Sequence, residues 1–297
     1  MPTIPLAGGG RVHVEVLDVL EPWLDRETIF LHHGLGKSSR FWRPWMRLLA
    51  EDYRVVAIDM LGNGRSSRPR HRRWSIEGYA ENVVEVLDAL DIERAHFVGE
   101  TVGGCVGLVL GARHADRLDS LALASCPIRP PRERLLARSR VIAREGLVGE
   151  VDAELPSRLE WHRYPPAMYH WYRAERLSAS PRIVAEQTAA QAVEELEWTL
   201  PRIGVPTLLF IPDESPVDAN VQMLEMARVI PDARVAELPP GRKPVWYHYG
   251  EAAVCVAEYR RFLGGLGARP AGQGPAGQGL AGQGAAGQGP SGYGPAA

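Results

Sequence analysis

The stretch Val98-Gly99-Glu100-Thr101-Val102-Gly103-Gly104 decides the fold of this 297-residue chain. It follows an apolar run typical of a β-strand, residues 95–98, and precedes a run with helical character, residues 102–114. Gly99 and Gly103 lie on either side of the junction, where a sharp strand-to-helix turn leaves no room for Cβ atoms. The stretch therefore predicts a tight turn that holds its central residue out at the carboxyl end of a sheet.

The segments on both sides of this turn alternate between strand and helix, which predicts a doubly wound, mostly parallel sheet of the α/β class. Residues 54–59 are almost continuously apolar, as in a parallel strand that is covered on both faces. Residues 11–16 alternate instead, which predicts an antiparallel edge strand. Ser75 is the predicted N-cap of a helix. The other predicted strands are 28–32, 118–124, 207–211 and 234–238, and the predicted helices are 41–50, 75–91, 220–229 and 250–263.

Residues 128–202 lack strand patterns and are helical and charged, with breaks predicted at Pro156, Pro165, Pro166 and Pro181. This segment predicts a helical cap, inserted into a core formed by residues 1–127 and 203–263. Residues 264–297 repeat a five-residue unit of Gly, Ala, Gln and Pro. Because they contain almost no apolar side chains to bury, they predict a disordered tail, and the period excludes collagen.

The composition excludes several classes of protein. A net charge of -2 gives no electrostatic basis for binding nucleic acid or an anionic membrane. Cys105, Cys126 and Cys255 lie far apart on apolar runs, so they predict buried, reduced thiols and no metal site. No signal peptide or membrane-spanning run is evident, which predicts a cytoplasmic protein. We expect no cofactor, and the sequence leaves the oligomeric state open.

Three motifs together resemble the α/β-hydrolase superfamily over residues 11–263, with a layout similar to its enol-lactonase and small-esterase branch. They are His33-Gly34-Leu35-Gly36, the glycine-rich turn Asp59-Met60-Leu61-Gly62-Asn63-Gly64-Arg65-Ser66, and the turn at 98–104. The resemblance implies an α/β-hydrolase fold, with a mostly parallel doubly wound sheet and a helical cap insertion. It also implies two backbone donors for an oxyanion, the N–H groups of Leu35 and Val102.

The resemblance also assigns three side-chain positions, and this chain departs from the family at each one. Thr101 stands where the nucleophilic serine is expected, Ser215 at the position of the acid and Lys243 at that of the histidine. A lysine is mostly protonated at neutral pH unless it is buried, and a serine carries no charge to stabilise an imidazolium. The chain is therefore predicted to lack a working Ser-His-Asp triad.

Several alternatives stay open at this stage. If the loops are displaced in the alignment, Glu214, Asp213 or Asp218 could take the acid role and His248 that of the base, which would rebuild a triad. Glu100 is either a buried base or a structural carboxylate, and the 59–66 turn is either structural or a metal or phosphate site. Arg242 and Lys243 could bind a substrate carboxylate. The residues predicted to line the pocket are His33, Gly34, Glu100, Trp161, Tyr169, Trp171, Arg242 and Trp246.

The leading hypothesis from the sequence is a non-hydrolytic enzyme that moves protons next to a carbonyl group. It would epimerise, isomerise, eliminate or cyclise a small-molecule or peptide-like natural product, with backbone donors stabilising the enolate. Triad loss of this kind is similar to that of peptide epimerases in bottromycin-type antibiotic biosynthesis. The alternatives are an esterase or lactonase that uses Thr101 or a relocated triad, and a catalytically inactive binding or scaffold protein.

Overall fold

A computed structural model describes residues 3–24, 26–159, 163–211, 217–236, 238 and 249–267. In this part of the chain the strands form one sheet in the order β1-β2-β4-β3-β5-β6-β7-β8. The six strands from β3 to β8 are parallel, whereas β1 and β2 are antiparallel to their neighbours. The strands are β1 Thr3–Pro5, β2 Arg11–Leu17, β3 Thr28–His32, β4 Arg54–Asp59, β5 Ala95–Glu100, β6 Leu118–Ala124, β7 Thr207–Phe210 and β8 Ala233–Ala236. The predicted fold class is confirmed.

The prediction that residues 11–16 form an edge strand was wrong. β2 pairs with β1 on one side and with β4 on the other, so β1 forms the edge. The polar face of β2 is also buried, because His13 is 3% and Glu15 4% exposed. Arg43 lies 3.3 Å and Arg65 3.7 Å from the Glu15 carboxylate. Ion pairs therefore cover a polar face that the alternating pattern assigned to solvent.

Helices cover both faces of the sheet and extend beyond its carboxyl edge. The predicted cap of Ser75 is confirmed, since its hydroxyl accepts a hydrogen bond from the Gly78 N–H at 3.0 Å. The first helix is shorter than predicted because a 3₁₀ turn, Ser39–Trp42, takes its first residues. The helices of the described residues are α1 Arg43–Leu49, α2 Ile76–Ala89, α3 Val102–Arg113, α4 Arg132–Glu145, α5 Val148–Arg158, α6 Pro166–Leu177, α7 Pro181–Gln191, α8 Val217–Val229 and α9 Tyr249–Gly265.

The sheet separates two apolar cores. The first includes α2 and α3 and contains Phe97, and the second includes α1 and α9 and contains Val98. These consecutive residues of β5 are thus buried on opposite faces of the sheet, which explains why both are apolar. The three cysteines are free and buried, as predicted.

Helices α4 to α7, which we call the cap, lie between β6 and β7 and enclose a third apolar cluster with Phe41. Pro166 and Pro181 begin α6 and α7, where a proline leaves no hydrogen bond unmade. The break predicted at Pro156 was wrong, because α5 continues through it to Arg158. Residues 268–297 of the predicted tail lie outside the described residues.

The turn between β5 and α3 depends on a backbone contact that only glycine permits. A Cβ at Gly103 would lie 2.2 Å from the carbonyl oxygen of His32. We expect Gly103→Ala to lower the free energy of unfolding by about 3 kcal/mol, as measured by urea denaturation. Gly149 in α5 is the matched control, because a Cβ there meets nothing within 4 Å. Gly149→Ala should be neutral or stabilising, and a Gly103→Ala protein as stable as wild type would contradict the contact.

Candidate active site

Thr101 holds a strained backbone conformation between β5 and α3, with φ 51° and ψ -114°. A positive φ is a genuine outlier for a β-branched residue, and such strain costs about 1–3 kcal/mol. The Thr101 N–H donates to the carbonyl of Ala124 at 2.9 Å, which ties the turn to the adjacent strand β6. The geometry is that of a nucleophile elbow, in which the central side chain stands out from the carboxyl end of the sheet.

The hydroxyl of Thr101 lies against the loop that follows β3. A Cβ built on Gly34 would lie 1.9 Å from Thr101 Oγ1, so a larger residue at position 34 would clash with the Thr101 side chain where it stands. Thr101 is partly exposed, and its hydroxyl makes no hydrogen bond within the described parts of the chain. The structure thus brings the predicted residues Thr101 and Gly34 together, with the hydroxyl directed at the loop.

Residues 33–37, which we call the oxyanion loop, are fixed first by His33. The His33 ring accepts a hydrogen bond from the Met60 N–H at Nε2, 2.9 Å away. The other nitrogen, Nδ1, lies 2.7 Å from the carbonyl oxygen of Gly34 and must donate to it. Burial lowers the pKa of His33, which favours this neutral form. His33 is therefore a support for the Gly34–Leu35 peptide, because both its nitrogens are engaged and neither is available as a base.

The next peptide of the oxyanion loop is held at both of its polar groups. The carbonyl oxygen of Leu35 accepts a hydrogen bond from Arg176 at 2.8 Å. The Gly36 N–H donates to Asn63 Oδ1 at 3.0 Å, and Asn63 in turn donates to Gln187 of the cap at 3.2 Å. The Leu35–Gly36 peptide therefore cannot rotate without breaking contacts to the cap.

The two predicted oxyanion donors remain available. Within the described residues, neither the Leu35 N–H nor the Val102 N–H donates to another group. Val102 is the first residue of α3, where N–H groups carry the positive end of the helix dipole. The side chains of both residues line a narrow pocket between α2 and the cap, together with Trp74, Ser75, Ile76, Tyr79, Gln187, Ala190, Gln191 and Glu194. A carbonyl oxygen placed between the two N–H groups would be stabilised as it gains charge.

Glu100, proposed from the sequence as a base or a structural carboxylate, forms an ion pair. Its Oε1 lies 2.5 Å from Lys37 Nζ, and both side chains are 7% exposed. The Lys37 ammonium also lies 5.5 Å from the centre of the Phe41 ring. The pairing favours the structural role, because the buried Glu100 carboxylate is already engaged by the Lys37 ammonium. Sequence reasoning missed Lys37, since its partner is 63 residues away.

The glycine-rich turn at 59–66 is structural. Asp59 accepts hydrogen bonds from the N–H groups of Ser39 at 2.6 Å and Arg65 at 2.7 Å, so its carboxylate joins two loops. Within the described ranges, no group of three or more His, Cys, Asp and Glu side chains could hold a metal ion. The metal alternative for this turn therefore has no support in the described residues, and the phosphate alternative stays a prediction.

The aromatic residues Tyr169 and Trp171 belong to the apolar cluster between the cap and the core. The Trp171 ring packs on Phe41 with 4.9 Å between ring centres. In this position both side chains contribute to the packing of the cap on the core. Their predicted contact with a substrate stays a prediction. The other site residues predicted from the sequence lie outside the described residues: Ser215, Lys243, Trp161, Arg242 and Trp246, with the alternatives Glu214 and His248.

Comparisons with known proteins agree with this geometry. A family model described as alpha/beta hydrolase fold matches residues 27–249. "Putative carbamate hydrolase RutD" of Stutzerimonas stutzeri (strain A1501) is 31% identical over 252 residues, 77% of this chain and 89% of the relative. The relative of the same name in Caulobacter sp. (strain K31) is 42% identical over 109 residues, which span only 41% of its length and 37% of this chain.

Among solved structures, the enol-lactonase of Burkholderia xenovorans LB400 superimposes with a TM-score of 0.80 and 26% identity. The superposition covers 89% of this chain and 100% of the enol-lactonase. No helix in the described part of the chain is long and apolar enough to cross a membrane.

The contact between Thr101 and Gly34 can be tested by a double-mutant cycle. Gly34→Ala should lower the free energy of unfolding by about 1–3 kcal/mol, because its methyl group would meet Thr101 Oγ1. In a Thr101→Ala background the cost should fall by at least about 1 kcal/mol. In Thr101→Val, which keeps an atom at that place, the cost should remain. Equal costs in all three backgrounds, measured by urea unfolding, would show that the hydroxyl lies elsewhere.

The buried histidines predict how stability depends on pH. Burial lowers the pKa of His32 from 6.5 to about 3. Between these values the unfolded chain binds a proton that the folded chain excludes, so the stability present above pH 6.5 is lost as the pH falls. In His32→Asn the slope of unfolding free energy between about pH 6 and pH 4.5 should decrease by about 1.4 kcal/mol per pH unit.

His170→Asn is the control for this slope, because His170 is exposed on the cap. It should leave the pH dependence of the free energy of unfolding unchanged. A His32→Asn protein whose slope equals that of wild type would show that His32 is not held neutral by burial.

Proposed function

The chain belongs to the α/β-hydrolase fold family, and from this membership we propose that it hydrolyses a small acyl compound, with Thr101 as the nucleophile. This is the hydrolase alternative of the sequence-based hypotheses. The observation that carries it is the backbone of Thr101, at φ 51°. A β-branched residue is costly in this conformation, and strain of this kind persists where the surrounding structure needs the side chain at that place.

The chemistry follows from the position of the hydroxyl. Thr101 Oγ1 attacks a carbonyl carbon, and the carbonyl oxygen gains negative charge as the tetrahedral intermediate forms. The N–H groups of Leu35 and Val102 stabilise that charge by donating hydrogen bonds to the oxygen, since neither N–H donates to another group in the described residues. The bond between the carbonyl carbon and the leaving group then breaks, and the leaving group takes up the proton that Thr101 lost. Water hydrolyses the resulting acyl-threonine, which releases the acid and restores the Thr101 hydroxyl.

Attack requires a base for the proton of Thr101. His33 is excluded because both ring nitrogens are engaged. We therefore propose that the base comes from the segment 241–248, in which Lys243 and His248 are the candidates, with Glu214 or Ser215 as the orienting partner. A lysine base would need burial to lower its pKa, as in Ser-Lys hydrolases.

The class of substrate is proposed from the relatives and from the pocket. The relatives' names specify carbamate hydrolysis, and the enol-lactonase is a structural neighbour. A carbamate, a lactone and a simple ester all present a carbonyl to one nucleophile and one oxyanion site. The narrow pocket beside Leu35 and Val102 favours a small group on the substrate.

A second candidate is the non-hydrolytic proton transfer that the sequence predicts, on a peptide-like or other natural-product substrate. It is favoured by the substitutions at three positions, Thr101, Ser215 and Lys243. The oxyanion donors would stabilise an enolate without covalent attack. The names of the relatives favour hydrolysis over this chemistry, so we place it second.

The two candidate functions predict different effects on activity when the Thr101 hydroxyl is removed. Wild type, Thr101→Val and Thr101→Ser would be assayed with p-nitrophenyl acetate, an N-unsubstituted carbamate and a small lactone. We expect saturable hydrolysis of at least one substrate by wild type. Thr101→Val keeps the branched shape but has no nucleophile, so kcat should fall by about 10³–10⁶-fold. Thr101→Ser should retain activity.

Two outcomes would contradict the proposal. The first is a Thr101→Val protein that hydrolyses the substrate as fast as wild type. The second is a wild type that hydrolyses none of them but exchanges solvent deuterium into a carbonyl substrate, which would favour the non-hydrolytic candidate.

A further inference from the structure

A buried arginine of the cap, Arg176, binds the oxyanion loop. It lies in the last turn of α6 and is 3% exposed. One guanidinium nitrogen donates to the carbonyl oxygen of Leu35 at 2.8 Å. The same nitrogen would lie 2.9 Å from a Cβ at Gly36, so the guanidinium packs directly against the loop. A charged group is placed in this way only where partners compensate its loss of water.

The partners of Arg176 come from the cap itself. Its second terminal nitrogen lies 3.2 Å from a carboxylate oxygen of Glu150 and 3.2 Å from one of Glu154, both on α5. Arg138 of α4 also binds Glu150, at 2.7 Å. Two arginines and two glutamates thus form a balanced cluster that fixes the guanidinium. The cluster joins three cap helices to one carbonyl of the oxyanion loop.

The carbonyl that Arg176 binds belongs to the residue whose N–H is an oxyanion donor. His33 holds the peptide on the N-terminal side of Leu35 through the Gly34 carbonyl. Arg176 holds the peptide on its C-terminal side, whose N–H end is tied to Asn63. With both flanking peptides fixed, the direction of the Leu35 N–H is fixed as well. Precise orientation matters because a donor displaced by about 1 Å can cost on the order of 100-fold in rate.

We propose that Arg176 is a positioning residue. Through its hydrogen bond to the Leu35 carbonyl, the cap sets the orientation of the Leu35 N–H for the reaction. The proposal deepens the proposed function and its kinetic test rests on it. Arg176 does not contact the reacting atoms in this role. Its contribution is to transition-state stabilisation, so its loss should lower kcat more than it raises KM.

The chain offers a matched control on the same helix. Arg173 also joins α6 to α5, through Asp152 at 2.6 Å, but its side chain is 38% exposed and makes no hydrogen bond to the oxyanion loop among the described residues. Arg173→Met removes a cap ion pair without touching the loop. Arg176→Lys keeps the charge among the carboxylates but lacks the forked geometry that reaches both the carboxylates and the Leu35 carbonyl. The Arg176→Lys variant still tests the proposal if Arg176→Met fails to fold.

The kinetic experiment compares kcat and KM of the four proteins with the best substrate found for wild type. We expect Arg176→Met and Arg176→Lys to lose about 100-fold in kcat with little change in KM. Arg173→Met should stay within about twofold of wild type. Equal kinetics for the Arg176 and Arg173 variants would overturn the proposal.

A second measurement needs no substrate, so it separates this proposal from the proposed function. Amide hydrogen exchange would be followed at Gly36, whose N–H is bonded to Asn63. Exchange should be about tenfold faster in either Arg176 variant and unchanged in Arg173→Met. Unchanged exchange in the Arg176 variants would overturn the proposal. Should wild type hydrolyse nothing, the proposed function fails and this measurement alone decides whether Arg176 orders the loop.

Discussion

The site depends on one steric constraint, the close approach of three backbone segments at the carboxyl end of β3 and β5. A Cβ at Gly99 would lie 2.3 Å from the carbonyl of Gly103, one at Gly103 2.2 Å from that of His32, and one at Gly34 1.9 Å from the Thr101 hydroxyl. Because these contacts leave no space, α3 begins directly at the strand end. Thr101 is thereby held at a positive φ, and Val102 becomes the first residue of α3.

Hydrogen bonds fix the orientation of the peptides that this close packing brings together. His33 and Arg176 hold the two peptides around Leu35, one from the core and one from the cap. The Leu35 N–H itself donates no hydrogen bond within the described residues. Donors that are fixed before the substrate arrives require little reorganisation when charge develops, which is the physical basis of oxyanion stabilisation. In the proposed function, the cap therefore helps to orient the Leu35 N–H as well as covering the sheet.

The sequence predicted what depends on local pattern. The strands 28–32 and 118–124 and the elbow follow from apolar runs and glycine spacing, and they lie where they were expected. The role of the Leu35 and Val102 N–H groups as oxyanion donors came from the family resemblance and stays a prediction. Contacts between distant residues could not be predicted in this way. The burial of Glu15 depends on arginines brought in by other elements. The pairing of Glu100 with Lys37 and the reach of Arg176 to Leu35 join segments 63 and 141 residues apart.

The central claim is that Thr101 forms a covalent bond with the acyl group. It is tested most directly by mixing the protein with an activated aryl ester, stopping the reaction in acid within milliseconds to seconds, and mapping peptides by mass spectrometry. The account predicts an added acyl group on Thr101 in wild type and none at this residue in Thr101→Val. Turnover of the ester with no acylated peptide in either protein, or acylation of another residue at equal rates in both, would contradict it.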